Sequence, residues 1–289
     1  MKRWGIISGL TASAIWGGMY VVSKVVLEVI PPFTLITLRL ILGILTLWAV
    51  VAARGGLGFH RRDWLEAGGV GLIGYGISLG FQFIGTKLSN ASNGALITSA
   101  TPAFVLLFAA WIMREPMTAR RILALSVSTL GVVIVLNPQS ARLSPDFFWG
   151  NISLVAAAAT WALYSVLIRK VTRRLDTLRV SLVAFIGGLC ITLPASAWEG
   201  MQMGIGELNR GILWGVLYLG IVSTALAMFL WNNAFATLDA GLASLTFFAQ
   251  PIVGALLGAW LLGETLTPLF YAGGFLIGLG LWLAARESS

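Results

Sequence analysis

Residues 4–24 read WGIISGLTASAIWGGMYVVSK, and residues 149–169 read WGNISLVAAAATWALYSVLIR. Adding 145 to a position in the first stretch gives its mate in the second. Trp4-Gly5 then falls on Trp149-Gly150, Ser8 on Ser153, Ala14 on Ala159, Trp16 on Trp161 and Lys24 on Arg169. Both stretches are almost uncharged and about 20 residues long, the length that carries a helix across a bilayer core. The match continues downstream at a shift of 149. Ala91 meets Ala240, Leu96 meets Leu245, Pro102 meets Pro251, Trp111 meets Trp260, Glu115 meets Glu264, Thr118 meets Thr267 and Gly131 meets Gly280. The chain is a tandem duplication.

Composition fits that reading. Of 289 residues, 58% are hydrophobic and only 10% charged, against about 25% charged in an average soluble domain. A soluble fold has too few polar residues here to cover its surface, which excludes a soluble enzyme, a disordered chain and a disulfide scaffold. Apolar runs broken by charge and proline give ten spans, at about 4–26, 33–53, 65–86, 91–113, 122–137, 149–168, 178–198, 211–232, 241–262 and 269–285. The expected fold is therefore an all-α polytopic membrane protein. Residues 1–137 form one five-helix repeat, 149–286 a second, and 138–148 the connecting loop. Five is odd, so the second repeat enters the membrane from the opposite side. Inverted repeats with a site between them near the midplane are a transporter arrangement.

The net charge of +8 would suggest nucleic acid in a soluble protein, but position explains it. With the N-terminus inside, Lys2, Arg3, Arg54, Arg61, Arg62, Arg114, Arg120, Arg121, Arg169, Lys170, Arg173, Arg174, Arg179 and Arg286 are cytoplasmic, whereas Lys87, Arg142 and Arg210 are external. Lys24 and Arg39 fall within spans. This bias places both termini in the cytoplasm, with no nucleic-acid partner. The apolar start behind Lys2-Arg3 is expected to stay as a helix, since cleavage at Ala12-Ser13-Ala14 would leave a very short core.

Glycine pairs four apart, Gly5/Gly9, Gly76/Gly80, Gly211/Gly215, Gly254/Gly258 and Gly274/Gly278, allow close helix approach. Gly69 to Gly74 match a dinucleotide fingerprint only formally, because no strand precedes them. With one cysteine, Cys190, neither an internal disulfide nor a cysteine cluster can form; no cofactor or metal is expected.

A cavity is expected from helical faces. In span three, Tyr75, Ser78, Leu79, Gln82 and Thr86 share a face; Thr224, Ala227, Met228, Trp231 and Phe235 are their mates in span eight. In span four, Gly94, Thr98 and Thr101 align, with Ala243, Phe247 and Gln250 in span nine. Spans one and six add Trp16, Met19 and Tyr20, then Trp161, Tyr164 and Ser165. Pro102 and Pro251 interrupt their helices, which would leave the carbonyls of Thr98 and Phe247 without partners and make hinges. Glu115 and Glu264 sit at turns before the N-cap candidates Thr118 and Thr267.

None of these faces carries a charge. A phosphorylated substrate would want Arg or Lys in the cavity, a cationic drug would want a buried carboxylate, and proton coupling usually needs a titratable group at depth. The expected substrate is therefore a neutral or zwitterionic small molecule, carried with weak or no proton coupling. A membrane enzyme would need a catalytic cluster that the sequence lacks.

The residues Ala14-Ile15-Trp16-Gly17, Arg39, Pro102, Arg114-Glu115-Pro116-Met117-Thr118, Pro251 and Gly263-Glu264-Thr265-Leu266-Thr267 resemble the EamA branch of the drug/metabolite transporter superfamily. The resemblance covers the whole chain. It implies ten helices in two inverted repeats, a central cavity and export of small metabolites by alternating access. Within the branch the chain is most similar to bacterial inner-membrane exporters of amino acids, including aromatic ones. The alternative is a broad-specificity drug or metabolite exporter driven by proton antiport. An oligomer is not implied, since ten helices can close one cavity without a partner.

Overall fold

Proline and glycine punctuate the chain where its charges do. The computed structural model describes residues 2–56, 58–89, 97–136, 147–202, 204–262 and 268–287. The first helix is α1 (Lys2–Leu27). Next comes α2 (Pro32–Ala53), started by Pro32 in its first turn, where the missing N–H costs nothing. It is stopped by Gly55 and Gly56 at φ +94° and +81°, a conformation only glycine adopts freely. Then follow α3 (Arg61–Gly71), a π-helical turn (Leu72–Ser78) and α4 (Leu79–Leu88), continuous end to end. After them come α5 (Thr101–Met113), α6 (Ala119–Leu136), α7 (Phe148–Thr172) and α8 (Thr177–Gln202). A second broken helix comprises α9 (Arg210–Leu217), a π-helical turn (Tyr218–Leu226) and α10 (Ala227–Thr237). Last are α11 (Ala240–Leu245), a 3-10 turn (Thr246–Phe248), α12 (Ala249–Leu262) and α13 (Pro268–Glu287).

The described residues contain helices and no strands. Six helices are long and apolar enough to cross a membrane: Pro32–Ala53, Arg61–Gly85, Phe148–Thr172, Thr177–Gln202, Arg210–Thr237 and Pro268–Arg286. Shorter apolar helices cover Thr101–Met113 and Ala240–Gly254. The chain is a multi-pass membrane protein. Its outer surface agrees: nine tryptophans, among them Trp111, Trp149, Trp214 and Trp260, are exposed beside many exposed leucines and isoleucines. In water such a surface would aggregate; in a bilayer it meets lipid and interface.

Two expectations change here. The fourth and ninth spans are not continuous helices. A turn at 99–100 precedes α5, and the 3-10 turn splits α11 from α12. Pro102 accordingly sits in the first turn of α5, and Pro251 is the third residue of α12. Both fall where a restarting helix tolerates proline. The expected glycine contacts are also partly reassigned. Gly5 and Gly9 do pack, against Thr237 and Thr246, but a side chain at Gly274 or Gly278 would meet nothing. Close approach of α6 and α13 uses Gly131 and Gly273 instead, where a Cβ on either would lie 2.6 Å from the other's carbonyl.

The main helix packings are α6 with α13, α2 with α8, α1 with α10, α4 with α7, α5 with α7 and α1 with α12. In each pair a helix from the first half of the chain lies against one from the second. Residues far apart in sequence therefore meet in the interior.

Candidate functional site

Between the halves lies a cavity of about 470 Å³, the size range of small-molecule sites. It is lined from the first half by Trp16, Ser78, Leu79, Gln82, Thr98 and Thr101. From the second half come Trp161, Phe247 and Gln250. Tyr75, Tyr164 and Trp231, also expected there, are fully buried and do not line it. Gly94 lies outside the described residues, as do the side chains of Tyr20, Lys24 and Thr86, the loop 137–146 and the Glu264–Thr267 turn.

The buried aromatics close one end of the cavity. Trp16 stands with its ring 5.3 Å from Trp231, 5.8 Å from Trp161 and 6.4 Å from Phe247, centroid to centroid. Two indoles have their N–H groups tied down. Trp16 Nε1 donates to the Ser223 carbonyl at 3.0 Å, inside the second π-helical turn. Trp231 Nε1 donates to Ser165 Oγ at 3.1 Å. The Trp161 N–H is buried and has no partner among the described residues.

Beneath this layer a neutral network is hydrogen-bonded throughout. The Tyr75 and Tyr164 hydroxyls touch. Tyr164 donates to Asn232 Oδ1 at 2.7 Å, and Asn232 Nδ2 donates to Ser181 Oγ at 2.9 Å. Unmet polar groups this deep would cost about 1–3 kcal/mol each. Tyr75 and Tyr164 therefore hold the floor of the cavity together. Asn232 and Ser181 are absent from the faces expected on periodicity, although an Asn within a hydrophobic span is a signal in itself.

The expectation of an uncharged cavity is overturned. Arg39, on α2, lines it and is only 3% exposed. Its Nε donates to Thr224 Oγ1 at 3.0 Å; its Nη2 lies 3.5 Å from Ser223 Oγ and 3.3 Å from Met19 Sδ. Span two puts Thr46 on the same face as Arg39 and Thr34 and Thr37 on the opposite one, so its pattern gives no single direction for that side chain. Met19, Ser23, Leu27, Phe83, Ala157, Ala158 and Met228 complete the lining.

Three of the six buried side-chain polar atoms without a partner among the described residues belong to this lining, the others being on Ser13, Ser128 and Thr192. Besides Trp161 Nε1, Ser23 Oγ and Gln250 Oε1 are buried and unsatisfied, and all three residues line the cavity. Buried polar atoms are normally paired; left open in a cavity wall, they suit a ligand. The Thr98 carbonyl, expected to be free, instead accepts from Thr101 Oγ1 at 2.6 Å.

The opposite ends of the same helices carry paired charges. Glu115 accepts from Arg169 Nε at 3.0 Å and from the Ala240 N–H at 3.1 Å, with Arg121 at 3.6 Å. Arg121 also reaches Asp239 at 3.3 Å, and Arg169 Nη1 donates to the Phe235 carbonyl at 2.9 Å. Glu115 thus holds its turn, as expected, and also ties the α5–α6 connection to α7 and α11. Thr118 Oγ1 accepts from the Arg121 N–H at 3.2 Å as an N-cap. Arg174 pairs nearby with Asp63 at 2.7 Å and with Glu66. Along α5, Thr101 at the cavity and Met113 near Glu115 are about 18 Å apart at 1.5 Å per residue.

The EamA-like transporter family profile matches residues 3–137 and again 148–286. An uncharacterized transporter of Archaeoglobus fulgidus is 26% identical over 99% of this chain and 100% of its own. A probable amino-acid metabolite efflux pump of Salmonella typhimurium is 25% identical over 98% of this chain and 95% of its own. A protein crystal structure superposes with a TM-score of 0.83, covering 100% of this chain and 98% of that one at 22% identity. That likeness concerns the fold alone.

Proposed function

The chain belongs to the EamA-like transporter family, and from that premise we propose that it exports small zwitterionic metabolites, foremost amino acids with apolar or aromatic side chains. The carrying observation is the cavity, in which tryptophan and phenylalanine walls surround Arg39 and the unsatisfied atoms of Trp161, Gln250 and Ser23. Trp16, Leu79, Trp161 and Phe247 would hold the substrate side chain. Ser78, Gln82, Thr98, Thr101 and Gln250 would take polar groups, and Tyr75, Tyr164 and Trp231 support them from below.

The mechanism is alternating access between two inverted five-helix repeats, 1–137 and 149–286, joined by 138–148. Support comes from pairs of contacts that interchange when the halves are swapped. The packing of α1 on α10 answers to that of α4 on α7, and α1 on α12 answers to α5 on α7. The two π-helical turns, Leu72–Ser78 and Tyr218–Leu226, also fall at corresponding places, and π-turns recur at functional sites. Breaks beside Pro102 and Pro251 would serve as hinges. With both termini in the cytoplasm of a bacterial inner membrane, the ion-paired end faces inward and the cavity belongs to an outward-open state.

Proteoliposomes loaded with a panel of amino acids, with and without a proton gradient, test this reading. Efflux of apolar amino acids without a gradient is expected. Efflux only with a gradient would favour the proton-antiport alternative, and no efflux of any amino acid would remove the substrate assignment.

A further inference from the structure

The tryptophans at matching places in the two repeats are bonded differently. Trp16 and Trp161 correspond at the shift of 145, line the same cavity and meet edge to face, with ring centroids 5.8 Å apart. Trp16 Nε1 donates to the Ser223 carbonyl at 3.0 Å, in the second π-helical turn. Trp161 Nε1 is also buried, yet has no partner among the described residues. Buried N–H groups are normally paired.

The missing bond has a counterpart in the sequence. At the shift of 149, Ser223 answers to Gly74, which lies in the first π-helical turn, Leu72–Ser78. Trp161 already stands beside that turn. Its ring centroid is 6.2 Å from that of Tyr75, and one turn back along its helix the Ala157 carbonyl accepts from Ser78 Oγ at 2.9 Å. Gly74 has no side chain to screen its carbonyl, and the Tyr164 ring fills the space where a Cβ would stand.

Inverted repeats reach their second state by exchanging the conformations of the two halves. That exchange carries the bond from Trp16 and Ser223 to Trp161 and Gly74, and opens the Trp16 N–H instead. Resting on the reading of this cavity as the substrate site of alternating repeats, we propose that the two indoles take turns. Whichever N–H is not held by a π-helical turn donates to the substrate's carboxylate: Trp161 while the cavity opens outward, Trp16 while it opens inward. A carboxylate leaving water needs donors inside the cavity, and an N–H given to an anion makes a stronger bond than one given to a neutral carbonyl.

The test removes one N–H at a time. In Trp161→benzothienylalanine and Trp16→benzothienylalanine a sulfur stands where the indole nitrogen was, and the ring size is kept. Uptake of labelled phenylalanine is measured in right-side-out and inside-out membrane vesicles of cells that make the full chain, against vesicles of cells that do not. The competitors are unlabelled phenylalanine and phenethylamine, which lacks the carboxylate. The ratio of their half-inhibiting concentrations is read on each face; a shift between outward and inward states moves both competitors alike and cancels. Trp161→benzothienylalanine should lower the preference for phenylalanine about tenfold in right-side-out vesicles only, the worth of one hydrogen bond to a charged group. Trp16→benzothienylalanine should lower it as much in inside-out vesicles only.

Any other pattern, such as a loss on the same face in both variants or on neither face, overturns the exchange of roles while leaving the transport reading in place. If the unmodified chain takes up neither phenylalanine nor leucine above background, the transport reading falls and the exchange with it. Should a benzothienyl variant fail to fold, Trp161→Phe and Trp16→Phe, which also lack the N–H, are read by the same ratio and decide.

Discussion

The helices that line the cavity at one end carry paired charges at the other. Around Glu115, Arg121, Arg169 and Asp239 each described charge faces an opposite one. Around Arg39 the described partners are neutral, and three polar atoms of the wall stand open. The two ends are joined by contacts: Trp231 packs on Phe235 at 4.9 Å, and the Phe235 carbonyl accepts from Arg169. Polar groups of both kinds are buried in an apolar protein, so their difference lies in what satisfies them. The paired end is complete as it stands, and its residues should govern stability. The cavity end is incomplete, and its residues should govern transport.

The largest effect should come from breaking the paired end. Glu115→Gln leaves buried Arg169 without its carboxylate partner and Arg121 with Asp239 alone, a loss of about 3–5 kcal/mol. It should appear as a marked fall in the melting temperature of the detergent-solubilised protein. An unchanged melting temperature would mean that the pairs at this end contribute little.

A smaller loss is expected between the two ends. Asn232→Leu takes one hydrogen bond each from the Tyr164 and Ser181 hydroxyls, which keep the Tyr75 hydroxyl and the Thr177 carbonyl as partners, a loss of about 0.5–1.5 kcal/mol each. Thermal unfolding should register it, while the KM for a transported amino acid stays put, because Asn232 does not line the cavity. A raised KM with intact stability would move the network into the binding site.

The smallest change in stability belongs to Pro251→Ala. The proline already sits in the first turn of α12, so stability should stay within about 0.5 kcal/mol of the parent, as at an ordinary surface site. The transport rate should change. Unchanged transport in this folded variant would remove the hinge.

Of the twenty-two residues that helical periodicity puts on the expected faces, eleven line the cavity, Met19 and Met228 among them. It works because residues three and four apart share a face. It gives no depth along that face and no identity for the helix opposite. Tyr75 and Tyr164 share faces with cavity residues but lie a turn too deep. Arg39 points inward through contacts with Ser223 and Thr224, about 185 residues away in the chain, which no local pattern encodes. Pro102 marked a real break, yet its consequence depended on Thr101, whose hydroxyl takes the Thr98 carbonyl.

Protection of a cavity cysteine tests the account most directly. Ser23 lines the cavity, is 7% exposed and has no hydrogen-bond partner to lose, so Ser23→Cys in a Cys190→Ser background should fold as the parent does. Labelling by a small methanethiosulfonate is then followed with and without phenylalanine. Saturating phenylalanine should slow labelling severalfold. Labelling that proceeds at the same rate with and without phenylalanine would contradict the claim that this cavity holds the substrate.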